Sequence, residues 1–82
     1  MKTFIKLTNK IQKEQENEYL TLYAPILLSV EDIVMVERDP ETGECLIAVR
    51  GWVRGMVVKE SFEEVEAMIK RSLGGTGYTV VV

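Results

Sequence analysis

Histidine is absent from the 82 residues of this chain. The side chain most often used as a general base near neutral pH is therefore missing. Neither a Ser–His nor a Cys–His nucleophile pair can be assembled within one copy. Cysteine is nearly absent too: Cys45 stands alone, which excludes an internal disulfide and a multi-thiolate zinc site. A single thiol suits a reducing compartment. There is no basic excess, because ten Lys and Arg face thirteen Asp and Glu for a net charge of −3. Nonspecific nucleic-acid binding normally needs a basic domain, so that function starts at a disadvantage. Long apolar runs are lacking as well. The longest uncharged stretch, Tyr19 to Val30, contains Pro25 and is too short to cross a bilayer as a helix. The apolar residues after Lys2 are interrupted by Lys6, so no secretory signal is expected. These absences predict a cytoplasmic protein with no membrane span, no cofactor, no metal site and no catalytic residues.

What is present is ordinary globular composition, 46% apolar and 28% charged, in a length that holds one small domain spanning 1–82. Thr3 to Thr8 alternates, with Ile5 and Leu7 on one side and Phe4 and Lys6 on the other, which predicts a strand. Residues 9–18 are polar except for Ile11 and are expected to form a solvated loop. Tyr19 to Ala24 alternates again, with Leu20 and Leu22 as the inward pair; Pro25 ends this strand or places it at a sheet edge. Ser29 stands where it can cap one helical turn, with Val30 and Ile33 facing inward. Two strands then flank Pro40-Glu41-Thr42-Gly43, giving a hairpin from Val34 to Asp39 and Cys45 to Val49. A turn is expected near Arg50-Gly51, a bulge at Gly55, and an extended segment from Met56 to Glu60.

Ser61-Phe62-Glu63-Glu64 is a capping box. Phe62, Val65, Met68, Ile69 and Leu73 recur at helical spacing behind it, while Glu63, Glu64, Glu66, Lys70 and Arg71 fill the other side. A helix over about Phe62 to Leu73, stopped by Gly74-Gly75, follows. The last segment, 76–82, is β-prone and carries no charged side chain. It is expected to be a strand in this sheet or in a neighbour's, with Tyr78, Val80 and Val82 as a candidate oligomer strand. The predicted class is α+β: a small, mostly antiparallel sheet of five or six short strands with one helix packed on it.

The opening Phe4-Ile5-Lys6-Leu7-Thr8, the stretch Pro25 to Glu37 and the stretch Val57 to Ile69 together resemble the FlbD-like family of bacterial flagellar and swarming motility proteins. Its "I-x-x-V-E" element is matched by Ile33, Val36 and Glu37, and its strand-to-helix junction by Val57 through Val65. The resemblance implies a fold of this class and a motility-associated accessory role. It implies no catalytic residues.

Arg50, Trp52 and Arg54 stand at i, i+2, i+4 and would share one face of an extended segment. Two guanidinium groups around an indole can anchor a protein partner or stack on bases. Lys59 joins them if a bulge at Gly55 shifts the alternation. The plainer alternative has Trp52 folded onto the sheet as a partly buried core residue with the arginines flanking it in water. Glu63, Glu64 and Glu66 read as the wet side of the helix, and Gly74-Gly75-Thr76-Gly77 as a helix stop with no following P-loop lysine. Cys45, among strand residues, reads as an unreactive thiol. The expected function is a non-enzymatic protein-interaction or assembly module of bacterial or phage origin, whose partner is another protein or a second copy of itself. The alternative is a small nucleic-acid-associated regulator using the Arg/Trp strip.

Overall fold

A computed structural model describes residues 3–74. The described residues form five strands, one 3-10 turn and one helix. They are β1 (Phe4–Gln15), β2 (Glu18–Ser29), the turn Val30–Asp32, β3 (Ile33–Arg38), β4 (Cys45–Val49), β5 (Met56–Val58) and α1 (Phe62–Ser72). All strands are antiparallel in one sheet of order β2-β1-β5-β4-β3. The protein is a small α+β fold, as its hydrophobic patterning predicts.

The two edge strands, β2 and β3, are consecutive in the chain and separated only by Val30–Asp32. In a flat sheet their axes would lie four strand spacings apart, roughly 19 Å. Three residues of 3-10 helix advance only about 6 Å. The sheet must therefore curl until the end of β2 meets the start of β3. Two backbone bonds hold the turn in that gap: Val30 N donates to Thr3 O at 2.8 Å, and Arg50 N donates to Asp32 O at 2.7 Å. The curled inner face collects Ile5, Leu7, Leu28, Val30, Cys45, Ile47, Val49, Met56 and Val58, and α1 closes it with the fully buried Val65. Phe62, Met68, Ile69 and Leu73 pack around that contact.

The helix starts where its capping box sits. Ser61 Oγ accepts from Glu64 N at 3.1 Å, and acids fill the first turn while Lys70 and Arg71 fill the last. It runs to Ser72, one residue short of the sequence expectation, and Gly74 adopts a positive φ of 68° just beyond it. Arg38 on β3 lies 5.3 Å over the Phe62 ring and pairs with Glu63, which fastens the helix start to the sheet.

Several expectations need correction. Residues 9–18 are not a loop. They form the distal half of β1, a two-residue turn and the start of β2, in continuous register from Phe4↔Ser29 to Gln15↔Glu18. Glu16 and Asn17 take φ of 50° and 66°, the left-handed pair that a two-residue hairpin turn requires. The hairpin leaves the body of the sheet after Asn9, where β1 makes its one ladder pairing with β5, Asn9↔Val58. Beyond that point both faces of the ribbon meet water, so burial does not select an apolar-polar alternation over residues 9–18, which read as polar except for Ile11. Leu20 and Leu22 do lie on the core side of the ribbon, but beyond the core, and they are exposed.

Of the two placements open to Pro25, the structure has the sheet edge and not the strand end. β2 runs through it as an edge, as proline requires. Ser29 makes no side-chain cap, because its hydroxyl bonds Glu31 Oε2 at 2.7 Å instead. The ladder irregularity falls between Ile33 and Met35, whereas Gly55 simply leads into β5. The segment 76–82, with Tyr78, Val80 and Val82, lies outside the described residues.

Candidate functional site

The Arg50, Trp52, Arg54 and Lys59 candidate is divided by the fold. Arg50 and Gly51 form the turn leaving β4, with Gly51 at a φ of 83° and Trp52 N donating to Val49 O at 3.0 Å. Residues Trp52 to Arg54 are irregular and not extended, so the i, i+2, i+4 spacing defines no common face. A chain that reverses direction at Gly51 loses the period of two on which the strip depended. Arg50 is instead drawn toward the 3-10 turn: its Nη2 donates to Glu31 O at 3.4 Å and its Nε lies 3.9 Å from Asp32 Oδ1. The plainer alternative for Trp52 fails as well, because the indole is not among the partly buried side chains packed against the core. The indole is 49% exposed and Val53 wholly so, giving a knob of Trp52, Val53 and Arg54 on the surface.

Lys59 lies at the opposite end of β5, at the root of the hairpin arm. Its ammonium sits 5.2 Å from the centre of the Tyr23 ring. Beside it Lys10 pairs with Glu44, a hydrogen bond that raises the Lys10 pKa. Glu60 completes the group. Its Oε1 accepts from Thr8 N at 2.8 Å and its Oε2 from Thr8 Oγ at 2.9 Å, while Lys59 N donates to Thr8 O at 2.8 Å. The local sequence explains the arrangement. β5 ends at Val58, so the backbone of Thr8 has no strand residue opposite its N–H, and the Glu60 carboxylate supplies the acceptor. Lys10, Tyr23, Glu44, Lys59 and Glu60 line an open cleft of about 260 Å³ together with Ser61 and Cys45. Lys10, Lys59 and Glu60 are each engaged with a neighbour on this protein, and the cluster clamps the arm to the body.

Cys45 is buried, and desolvation pushes its thiol above the ordinary pKa. It stays protonated near neutral pH, which suits a packing residue and not a nucleophile. Among the described residues no group of three or more His, Cys, Asp or Glu is placed to hold a metal ion, and no helix is long and apolar enough to cross a membrane.

Residue patterning did not show that the hairpin projects with its apolar side chains exposed. The distal hairpin exposes Ile11, Leu20 and Leu22 on one side and Tyr19 and Tyr23 on the other, with Tyr19 at 75%. The molecule measures 48 Å along its longest axis against 21 Å along its shortest. The uncharged run from Tyr19 was the available signal. Its meaning changes once β2 is known to be an edge.

No family model, curated protein or solved structure matches this chain.

Proposed function

We propose that this protein is a non-enzymatic protein-interaction and assembly module of the bacterial or phage cytoplasm, an accessory protein akin to the FlbD-like motility family it resembles. The observation that carries this is the distribution of unburied apolar surface. It lies on the projecting hairpin and on the Trp52–Val53 knob, both convex or edge features suited to macromolecular contact. The charged groups at the arm root are engaged within the chain.

A second function is favoured by one specific observation: Trp52 is half-exposed beside Arg54 on the surface knob, while Arg50 is drawn to the 3-10 turn. Indole and guanidinium groups so placed can stack on bases, so a nucleic-acid-associated regulator is the alternative. Light scattering across a concentration series, together with binding to mixed oligonucleotides across a salt series, separates the two. The assembly module requires a mass above the monomer and no salt-sensitive oligonucleotide binding. A monomer with steeply salt-dependent binding, lost in Arg50→Ala with Arg54→Ala, would establish the alternative instead. A chain ending at Gly75 tests the contribution of segment 76–82 to any assembly.

A further inference from the structure

The outer edge of β2 has no partner among the described residues, and after Glu18 the strand carries no charged side chain to its end at Ser29. Natural sheets blunt such edges with charges, prolines or coverings, because an unpaired row of N–H and C=O groups recruits another strand. Here the one blunting device is Pro25. The ladder shows which backbone groups point outward. Thr8 directs both its N–H and its C=O away from β2, to Glu60 and Lys59. Thr8↔Pro25 is therefore a pair without mutual hydrogen bonds, and the backbone of Pro25 faces the open edge. The register is continuous, so Tyr19, Thr21 and Tyr23 face the open edge as well, while Leu20, Leu22 and Ala24 are bonded to β1.

The open stretch reads Tyr19-Leu20-Thr21-Leu22-Tyr23, the same in both directions about Thr21. We propose that β2 pairs with β2 of a second copy, antiparallel, with Thr21 on the two-fold axis. This specifies a partner for the assembly module above and rests on that function. In this register every residue meets its own kind. Tyr19 of one copy lies across from Tyr23 of the other, Leu20 across from Leu22, and Thr21 across from Thr21. The outward groups at 19, 21 and 23 form about six backbone hydrogen bonds, and Pro25 of each copy falls just beyond the last of them. Leu20, Leu22 and Ile11 from both copies gather on the core-side face of the ribbon, and the four tyrosines lie on the reverse. Two five-stranded sheets become one continuous sheet with the bodies at opposite ends.

Two-fold symmetry demands a self-complementary patch. A neutral palindrome on an open edge is such a patch, which favours a second copy over an unrelated strand. Five residues from each copy cover less than the about 800 Å² per partner of a stable complex, so the dimer is expected in the range on the order of micromolar or weaker.

The test follows the mass of the full chain by light scattering over about a hundredfold range of concentration. Wild type should rise from monomer to dimer. Thr21→Pro removes an N–H that the monomer leaves pointing outward, as Pro25 already does, so the monomer ladder stays intact while pairing weakens by at least about tenfold. Thr21→Lys does the same with two like charges on the axis, and serves if the proline variant fails to fold.

Thr21→Cys should cross-link spontaneously under oxidising conditions, because hydrogen-bonded antiparallel partners have Cα atoms about 5.5 Å apart, within disulfide range. Tyr19→Cys alone should not, since its counterpart in the other copy is Tyr23. A wild-type dimer that survives both Thr21→Pro and Thr21→Lys, or cross-linking of Tyr19→Cys as efficient as that of Thr21→Cys, overturns the β2 pairing and leaves the assembly function standing on another surface. A wild type that remains monomeric throughout overturns both.

Discussion

Replacing Glu60 by alanine tests whether a side chain completes the sheet where β5 runs out. Its carboxylate accepts from Thr8 N at 2.8 Å and from Thr8 Oγ at 2.9 Å in a half-buried position. Hydrogen bonds to an ionised acceptor contribute about 1.5–3 kcal/mol each before allowance for exposure. Water can replace part of that contribution here, so Glu60→Ala should cost about 2–3 kcal/mol, and Glu60→Gln, which keeps one acceptor, about 1 kcal/mol. A domain of this length has roughly 4–12 kcal/mol of total stability, so the alanine change is a large share. Urea unfolding followed by circular dichroism gives the loss directly. The midpoint temperature should drop by about 10–20 °C, from roughly 4–8 °C per kcal/mol in a domain this small.

An unchanged dependence on urea would show that the remaining sheet stays closed, whereas a smaller one would show that the arm root has opened in the native state. Adding Thr8→Val isolates the hydroxyl bond: the pair should couple by about 1 kcal/mol in a double-mutant cycle. A loss under about 0.5 kcal/mol for Glu60→Ala, with no coupling to Thr8, would refute the clamp.

Three further outcomes are expected. Ser61→Ala removes the acceptor for Glu64 N and should cost about 1 kcal/mol in thermal unfolding, while Ser61→Asp should restore most of it. Glu16→Asn relieves a left-handed backbone that glutamate adopts unwillingly, and should increase amide-exchange protection at the hairpin tip by roughly 1 kcal/mol. Cys45 should resist a thiol reagent in the native protein and react only on unfolding, because it is buried and its pKa is raised. Since the native thiol ionises later than the unfolded one, stability should be intact below about pH 8.5 and decline as pH rises from there toward the native pKa. Cys45→Ala should lack that decline in pH-dependent denaturation, and a wild type with an identical profile would remove the effect.

The local grammar of the chain settles most of the body of the fold. Ser61 to Glu64 fixes the helix start, Gly74 its end, and the apolar spacing from Phe62 to Leu73 its buried side. Pro40 to Gly43 marks the β3–β4 turn, and the alternation of Cys45, Ile47 and Val49 marks a strand with one face in the core. Each signal comes from interactions within a few residues, or from burial on one face that leaves a periodic trace. The tip of the arm, residues 9–18, leaves no such trace, because neither face of the ribbon is buried there; only Tyr19 to Ala24 keeps an alternation. Its two-residue turn uses Glu16-Asn17 where a glycine would have announced it.

Only the tertiary arrangement decides that β2 and β3 are the edges of a curled sheet, since that depends on β1 pairing with β5 across most of the chain length. The same long-range pairing separates Lys59 from Arg50, Trp52 and Arg54, and leaves Arg50 tied to the 3-10 turn. It also turns an uncharged stretch of sequence into an open edge. The residues fix which strands can form; how distant segments close on one another fixes which of them face another molecule.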